Sequence, residues 1–376
     1  MRILVAPQEF KGSLSAREAA EAIGRGLRRG LADAEIELLP LADGGPGTVE
    51  TLVAATDGRF FETAAHDPLG RPVHARWGAL GEESHASPTA LIESAAAAGL
   101  TLLRPDERDP RHTTTFGAGY RRIVVGVGGS ATNDGGAGLA QALGARLLDA
   151  QGEELPPGGA ALARLASIDV EALDQRLRET DIIVAADVSN PLCGPQGASL
   201  LYGPQKGASE SVARELDTAL AQYAQIVRRD LGVDVADIPG AGAAGGLGAG
   251  LIAFCSAHVE PGFVVAAEAV GLADRVRRAD VVITGEGRLD SQSAFGKTTM
   301  GVARAARDAG RPVVALVGSI EGGPESEAAR PFDAVFALTP DLASLDNAIA
   351  RAADLLSTAA DAAGRWVRKG GAGTEH

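Results

Sequence analysis

Short apolar runs separated by polar stretches recur along the chain, and at both ends they alternate with amphipathic segments. Ile3-Leu4-Val5-Ala6 reads as a strand. Ser15 and Glu18, three residues apart ahead of an apolar-periodic stretch, form a capping-box pattern that predicts a helix through about Arg29. A strand at 35–39 and a helix at 49–55 follow. The carboxyl-terminal part repeats this order, with strands at 280–284, 312–317 and 332–338 and helices at 298–307 and 342–363. Between them, 59–93 alternates in short pieces around the turn Asp67-Pro68-Leu69-Gly70-Arg71-Pro72, as antiparallel hairpins do. Strands at 122–127 and 181–186, a helix at 209–229 and a Gly/Ala helix after Pro239 complete the pattern. Alternating strand and helix implies a parallel sheet covered on both faces. The expected fold class is therefore α/β. A Rossmann-like parallel-sheet domain is built from both chain ends, 1–58 and 275–376, with a mixed α/β domain, 59–274, inserted. The active site is expected in the cleft between them.

A chain of 376 residues suits two or three domains, and 45% hydrophobic residues supply ample core. The net charge of −14 repels phosphate backbones and anionic lipid heads, so neither nucleic acid nor membrane is the expected partner. A small anion remains possible where basic groups gather. Two cysteines, Cys193 and Cys255, exclude a disulfide scaffold. With an opening that lacks a signal-peptide core and no charge-free window of transmembrane length, they predict a cytoplasmic protein. The tail from Lys369 to His376 is expected to be disordered. Glycine changes the picture most: 49 residues, clustered at 44–45, 126–138, 240–250 and 285–287, against 4% aromatics. Clustered glycine between apolar runs marks tight turns open to close approach by a ligand.

The loop Gly126-Val127-Gly128-Gly129-Ser130-Ala131-Thr132-Asn133-Asp134-Gly135-Gly136 follows a predicted strand and precedes a predicted helix running towards Arg146. Its N–H groups can converge on an anion, aided by the helix dipole. The alternative is a structural turn with Asn133 or Asp134 as helix cap. The loop satisfies G-x-G-x-x-A. However, the acid expected about twenty positions on can only be Asp149, which is badly placed, so a dinucleotide fold is not supported. Gly296-Lys297-Thr298 resembles the end of a Walker A loop, but Ser291 stands where its first glycine belongs. Gly240 to Gly248 reads equally as an anion site or as a closely packed helix start. Phosphoryl transfer needs an orienting carboxylate, cations on the phosphates and acids near Mg²⁺. Lys11, Asp43, Asp187 and Glu286 all fall at predicted strand ends, with Lys206, Arg288 and Asp290 in glycine-rich surroundings. The six histidines show no metal spacing, and both cysteines read as core.

Taken in order, several strings resemble the bacterial type I glycerate kinases over nearly the full chain. They are Ala6-Pro7-x-x-Phe10-Lys11-Gly12-Ser13-Leu14, Ala42-Asp43-Gly44-Gly45, Gly128 to Gly136, Asp187-Val188-x-Asn190-Pro191-Leu192, Gly203-Pro204-Gln205-Lys206-Gly207-Ala208, Pro239 to Gly248 and Thr284-Gly285-Glu286-Gly287-Arg288. The resemblance implies a two-domain enzyme that transfers the γ-phosphoryl group of ATP to D-glycerate with Mg²⁺, usually giving 2-phosphoglycerate. Three departures stand out. Gln8-Glu9 replace the usual Asp-Ser, and Pro46 replaces a usual Glu. The segment after Gly119 is also shorter by roughly ten residues, little for a parallel crossover of about a dozen.

Residue type and placement then give the expected roles. Asp187 or Asp43 orients the hydroxyl, and Lys11, Lys206 and Arg288 hold the carboxylate and phosphates. Ser13, Gly129, Ser130, Thr132, Asn133, Asp134, Gly245, Gly246 and Lys297 line the binding loops, and Glu286 and Asp290 lie near Mg²⁺. D-glycerate and ATP are the expected partners, and the reading allows a homodimer. Two alternatives stay open: an impaired relative that binds without turnover, and a dinucleotide-dependent oxidoreductase.

Overall fold

The structure, a computed structural model, describes residues 1–81, 88–99, 102, 122–290, 298–323, 325–338 and 349–370. Lys297, the shortened segment after Gly119 and the tail beyond residue 370 lie outside the described residues.

The chain opens with β1 (Arg2–Val5), α1 (Ala16–Gly30), β2 (Glu35–Leu38) and α2 (Thr48–Ala55). It continues through β3 (Arg59–His66), β4 (Pro72–Ala79), β5 (Thr89–Glu93), the single turn α3 (Ala95–Ala98) and β6 (Arg122–Gly126). Next come α4 (Ala137–Ala142), β7 (Arg146–Leu148), β8 (Ser167–Asp169), β9 (Asp181–Ala185), α5 (Ala198–Tyr202) and the long α6 (Glu210–Leu231). The remainder is α7 (Ala243–Cys255), β10 (His258–Glu260), α8 (Gly262–Ala269), α9 (Leu272–Arg278), β11 (Val281–Leu289), α10 (Thr298–Asp308), β12 (Val313–Ile320), β13 (Ala334–Ala337) and α11 (Ala352–Arg368).

Contacts divide the chain into two compact units. The first comprises Met1–Asp43, Glu50–Thr56 and the chain from Phe263 onward. Its sheet has the order β13-β12-β11-β1-β2, with every pairing parallel. Buried on both faces, Ile3–Val5 of β1 and Val313–Val317 of β12 are continuous apolar runs, whereas the edge strand β2 alternates Glu and apolar residues. Ile3, Val5, Ile283 and Leu316 form one core with Ile23 and Leu27 of α1 and Leu356 and Ala360 of α11. The two helices can touch because Gly26 and Gly30 of α1 carry no side chain: a Cβ on Gly30 would stand 2.7 Å from Asp361 O. The capping box is present, with Ser15 N donating to Glu18 Oε2 (2.9 Å) and Glu18 N to Ser15 Oγ (3.3 Å).

The second unit comprises Gly44–Val49 and Asp57–Gly262. Its sheet runs β10-β9-β6-β5-β4-β3, parallel from β10 to β5 and antiparallel through β4 and β3. The fold class is thus the α/β one expected, with a parallel sheet and a second, mixed one. Some elements differ from the sequence pattern. Helix α4 stops at Ala142 instead of running towards Arg146, because Gly144 turns left-handed (φ +101) and Ala145 N closes on Ala140 O at 2.9 Å. Strands β7 and β8 form a separate two-stranded ribbon that the pattern does not announce. The closing helix, found at Ala352–Arg368, runs past the predicted end at 363, while the predicted start falls in 339–348, outside the described residues.

Candidate active site

In the first unit the parallel pairing sends the carboxyl ends of β2, β1 and β11 to one edge, where open α/β sheets bind ligands. After β1, Phe10 is buried and pairs both ways with Leu14, Phe10 N to Leu14 O at 2.8 Å and Leu14 N to Phe10 O at 3.0 Å. A tight loop results, with Gly12 left-handed (φ +78) at its tip and Lys11 exposed beside it. Ser13, expected as a binding residue, donates its hydroxyl back to Phe10 O at 2.8 Å. Gly287 lies against this loop, since a Cβ there would be 3.4 Å from Lys11 N.

Glu286 on β11 is buried at 3% exposure, Asp290 is half-buried, and exposed Arg288 pairs with Asp290 (3.7 Å) and Glu321 (3.5 Å). Gln8 N donates to Gly285 O at 3.0 Å, and Gln8 Oε1 is buried without a hydrogen-bond partner. Glu9, in the departing Gln8-Glu9 pair, feels both Asp43 and Lys11. Partial burial pushes its carboxyl above the usual range, Asp43 adds to the rise and Lys11 opposes it.

In the second unit the glycine-rich loop leaves β6 and folds around a buried polar network. Lys206 is only 3% exposed, and its Nζ donates to Thr132 O (2.7 Å) and Ser130 Oγ (3.1 Å). Asp134, fully buried, accepts from Gly136 N (3.1 Å) and Gly138 N (3.2 Å). Burial drives the Asp134 carboxyl up to about 6, against the pull of those N–H groups and of Lys206. Burial likewise brings the Lys206 ammonium down to about 8, with Asp134 opposing the shift. Asn133 Nδ2 donates to Ser199 Oγ at 2.9 Å, while Asn133 Oδ1 and Asn190 Oδ1 are buried without partners.

Gly245 and Gly246 pack against the same loop: Gly135 N donates to Gly245 O at 3.0 Å, and a Cβ on Gly246 would stand 2.7 Å from Gly135 Cα. Ala244, Gly245 and Gly246 are all left-handed, a reversal written into the start of α7. Thr132, Asn133 and Asp134 therefore have buried side chains, whereas Gly129 is exposed at the loop's tip beside Pro46. Asp187, just past β9, accepts from Gly262 N (2.8 Å) at the start of α8.

The candidates thus form two groups, Lys11, Asp43, Glu286, Arg288 and Asp290 in the first unit and the loop network with Asp187 in the second. Nothing in the sequence pattern singles out Glu93. It ends the apolar run of β5, and its Oε1 accepts from Val49 N at 2.8 Å. A carboxylate closing an apolar strand is its one mark in the sequence, and ordinary strand ends share it. Among the described residues no group of three or more His, Cys, Asp or Glu is gathered to hold a metal, and no helix is long and apolar enough to cross a membrane.

Parallel strands with acids, a lysine and glycine loops at their carboxyl ends define an α/β enzyme built to handle anions. The glycerate kinase family model matches residues 3–368. The chain is 47% identical to the glycerate kinase of Bacillus subtilis (strain 168), covering 96% of each protein. It is 46% identical to the glycerate 2-kinase of Escherichia coli (strain K12), covering 94% of each protein. A crystal structure of a candidate glycerate kinase 2 from Salmonella typhimurium LT2 superposes with a TM-score of 0.85 at 45% identity, covering 98% of this chain and 99% of that one. The chain belongs to the glycerate kinase family, and it is a kinase. The oxidoreductase alternative falls with that assignment.

Proposed function

We propose that the chain transfers the γ-phosphoryl group of ATP to D-glycerate, giving 2-phospho-D-glycerate. The observation that carries this reading is the shared edge of β2, β1 and β11, where Asp43 and Lys11 both act on Glu9 and where Glu286 lies on β11. The names of the relatives, glycerate kinase and glycerate 2-kinase, support the acceptor and the hydroxyl.

Lys11, exposed at its turn, and Arg288 attract the carboxylate and phosphates. Asp43 or Asp187 orients the attacking hydroxyl and takes its proton. Exposed Gly129 lies in the loop that follows β6, where backbone N–H groups would meet a phosphate. Ser130, Thr132, Asn133 and Asp134, with Lys206, Gly245 and Gly246, give that loop its shape from beneath.

Mg²⁺ needs only one or two carboxylates beside phosphate oxygens and water, and Glu286 and Asp290 are donors of that kind. The buried, unpartnered Gln8 Oε1 beside Gly285 fits the same oxygen-rich surroundings. When bound, the ion would neutralise charge on the phosphates.

Purified protein with ATP, Mg²⁺ and D-glycerate, coupled through enolase and pyruvate kinase without phosphoglycerate mutase, tests the reading. Signal supports the 2-hydroxyl. Signal only after mutase is added assigns the 3-hydroxyl instead. Silence in both, with ligand binding retained, establishes the impaired relative. Asp43→Asn and Asp187→Asn separate the two candidate bases. The true one loses about 10²–10⁴-fold in kcat, and a variant that keeps full kcat leaves the role to the other.

A further inference from the structure

The residues immediately after Asp43 are fastened within the second unit at several points. Gly44 N donates to Thr48 Oγ1 (3.1 Å), and the Thr48 hydroxyl donates to Gly45 O (2.7 Å), closing the turn on itself. The turn rests on the ends of β6 and β9. A Cβ on Gly126 would stand 2.8 Å from Gly44 O, one on Gly128 2.9 Å from Gly45 Cα, and one on Gly44 2.8 Å from Ala185 O.

Close backbone packing is non-directional, and Glu93 adds a directional contact from β5 to the start of α2. Its Oε1 accepts from Val49 N at 2.8 Å, an N–H of the first turn of α2, which has no partner inside the helix. A carboxylate there also meets the positive end of the helix dipole. Glu93 is itself rigidly placed: it is in register with Gly126 of β6, and Ser94 N donates to Gly126 O at 2.8 Å.

We propose that Glu93 is a positioning residue that clasps the 44–49 segment to the ends of β5 and β6 and so fixes the main chain carrying Asp43. The proposal rests on the reading that Asp43 takes part in phosphoryl transfer. A group 1 Å out of place costs rate more than binding. Loss of the clasp therefore lowers kcat and leaves KM nearly unchanged.

Glu93→Ala, Glu93→Gln and Thr48→Val in the full chain are compared with wild type by hydrogen–deuterium exchange and by steady-state kinetics with ATP and D-glycerate. In Glu93→Ala, peptides over 44–55 exchange about tenfold faster while those of β11 and β12 keep the wild-type rate. In the same variant kcat falls about tenfold, and KM stays within about threefold. Glu93→Gln keeps a carbonyl oxygen for Val49 N and restores most of both. Thr48→Val, acting on the same turn from its other side, repeats the kcat loss.

Unchanged kcat in Glu93→Ala, exchange that rises uniformly along the chain, or failure of Glu93→Gln to restore protection would each overturn the clasp. If wild type itself shows no turnover, the kinase reading fails and exchange alone decides. Acceleration confined to 44–55 then supports the clasp, and unchanged exchange overturns it.

Discussion

Lys206 shows how far residue type alone carries an inference. A lysine between two glycines after a Pro-Gln pair reads as a phosphate ligand, and nothing in its neighbours announces burial. In the fold its ammonium is buried and donates to Thr132 O and Ser130 Oγ, opposite buried Asp134. Removing one partner of such a buried pair strands the other, so Lys206→Met is expected to cost about 3 kcal/mol in urea unfolding.

The pH dependence separates the two groups. The folded pKa of Asp134 is raised from 3.8 to about 6, so its contribution favours the fold below about pH 4 and is lost as pH rises through 6. Lys206 is lowered from 10.5 to about 8, so the folded state releases its proton first. Wild type is therefore expected to gain stability over Lys206→Met as pH rises from about 8 towards 10.5, measured by urea midpoints across that range. The sequence leaves Asp134 either in an anion loop or, with Asn133, as a candidate cap. In the fold Gly136 is the N-cap of α4, and the Asp134 carboxylate accepts from Gly136 N and Gly138 N. Glu93 was not legible, because a charged residue closing an apolar strand resembles an ordinary strand end until its partner, 44 positions away, is known.

At the level of elements, β1, β2, β6, β9, β11 and β12 and helices α1, α2, α6 and α10 followed from periodicity. The capping box of α1 was readable to the residue, whereas α5, β10, α8 and α9 were not announced. The start of α7 was not readable. Gly240 to Gly248 permits either an anion loop or a packed helix start, and only the fold shows three successive left-handed residues there. That backbone makes opposite predictions for adjacent positions. Ala244, at φ +52, sits where a Cβ is unwelcome, so Ala244→Gly is expected to stabilise by about 0.5–1 kcal/mol. Gly245, at φ +71, would place a Cβ on top of Thr132 O, so Gly245→Ala should destabilise by about 3 kcal/mol. Chemical denaturation of the two variants checks both signs. Equal effects would mean that the left-handed turn is not populated. The ribbon of β7 and β8 escaped the sequence reading for another reason. Three-residue strands carry too few positions for a period of two to show.

For the whole molecule, glycine clusters and alternating strand and helix sufficed to anticipate two sheets and a chain that returns to its beginning. Strand order is another matter, because it depends on pairing over long separations. The central pair of the first sheet joins Ile3 to Val281, and Thr284 Oγ1 donates to Ala6 O across 278 positions. Most of the second unit lies in one uninterrupted stretch, Asp57–Gly262. On refolding, amides of β6 and β9 are therefore expected to gain exchange protection before those of β1, since distant pairing carries the larger loop-closure cost. Pulse-labelled hydrogen exchange measures that order, and simultaneous protection of β1 and β6 would refute it.

The separation also has a meaning in time. At about 5–20 residues per second, a ribosome needs about 14–56 s to travel from Ile3 to the strand that will pair with it. Throughout that interval β1 carries an unpaired apolar edge, so a strand made early waits for its shelter on one made much later.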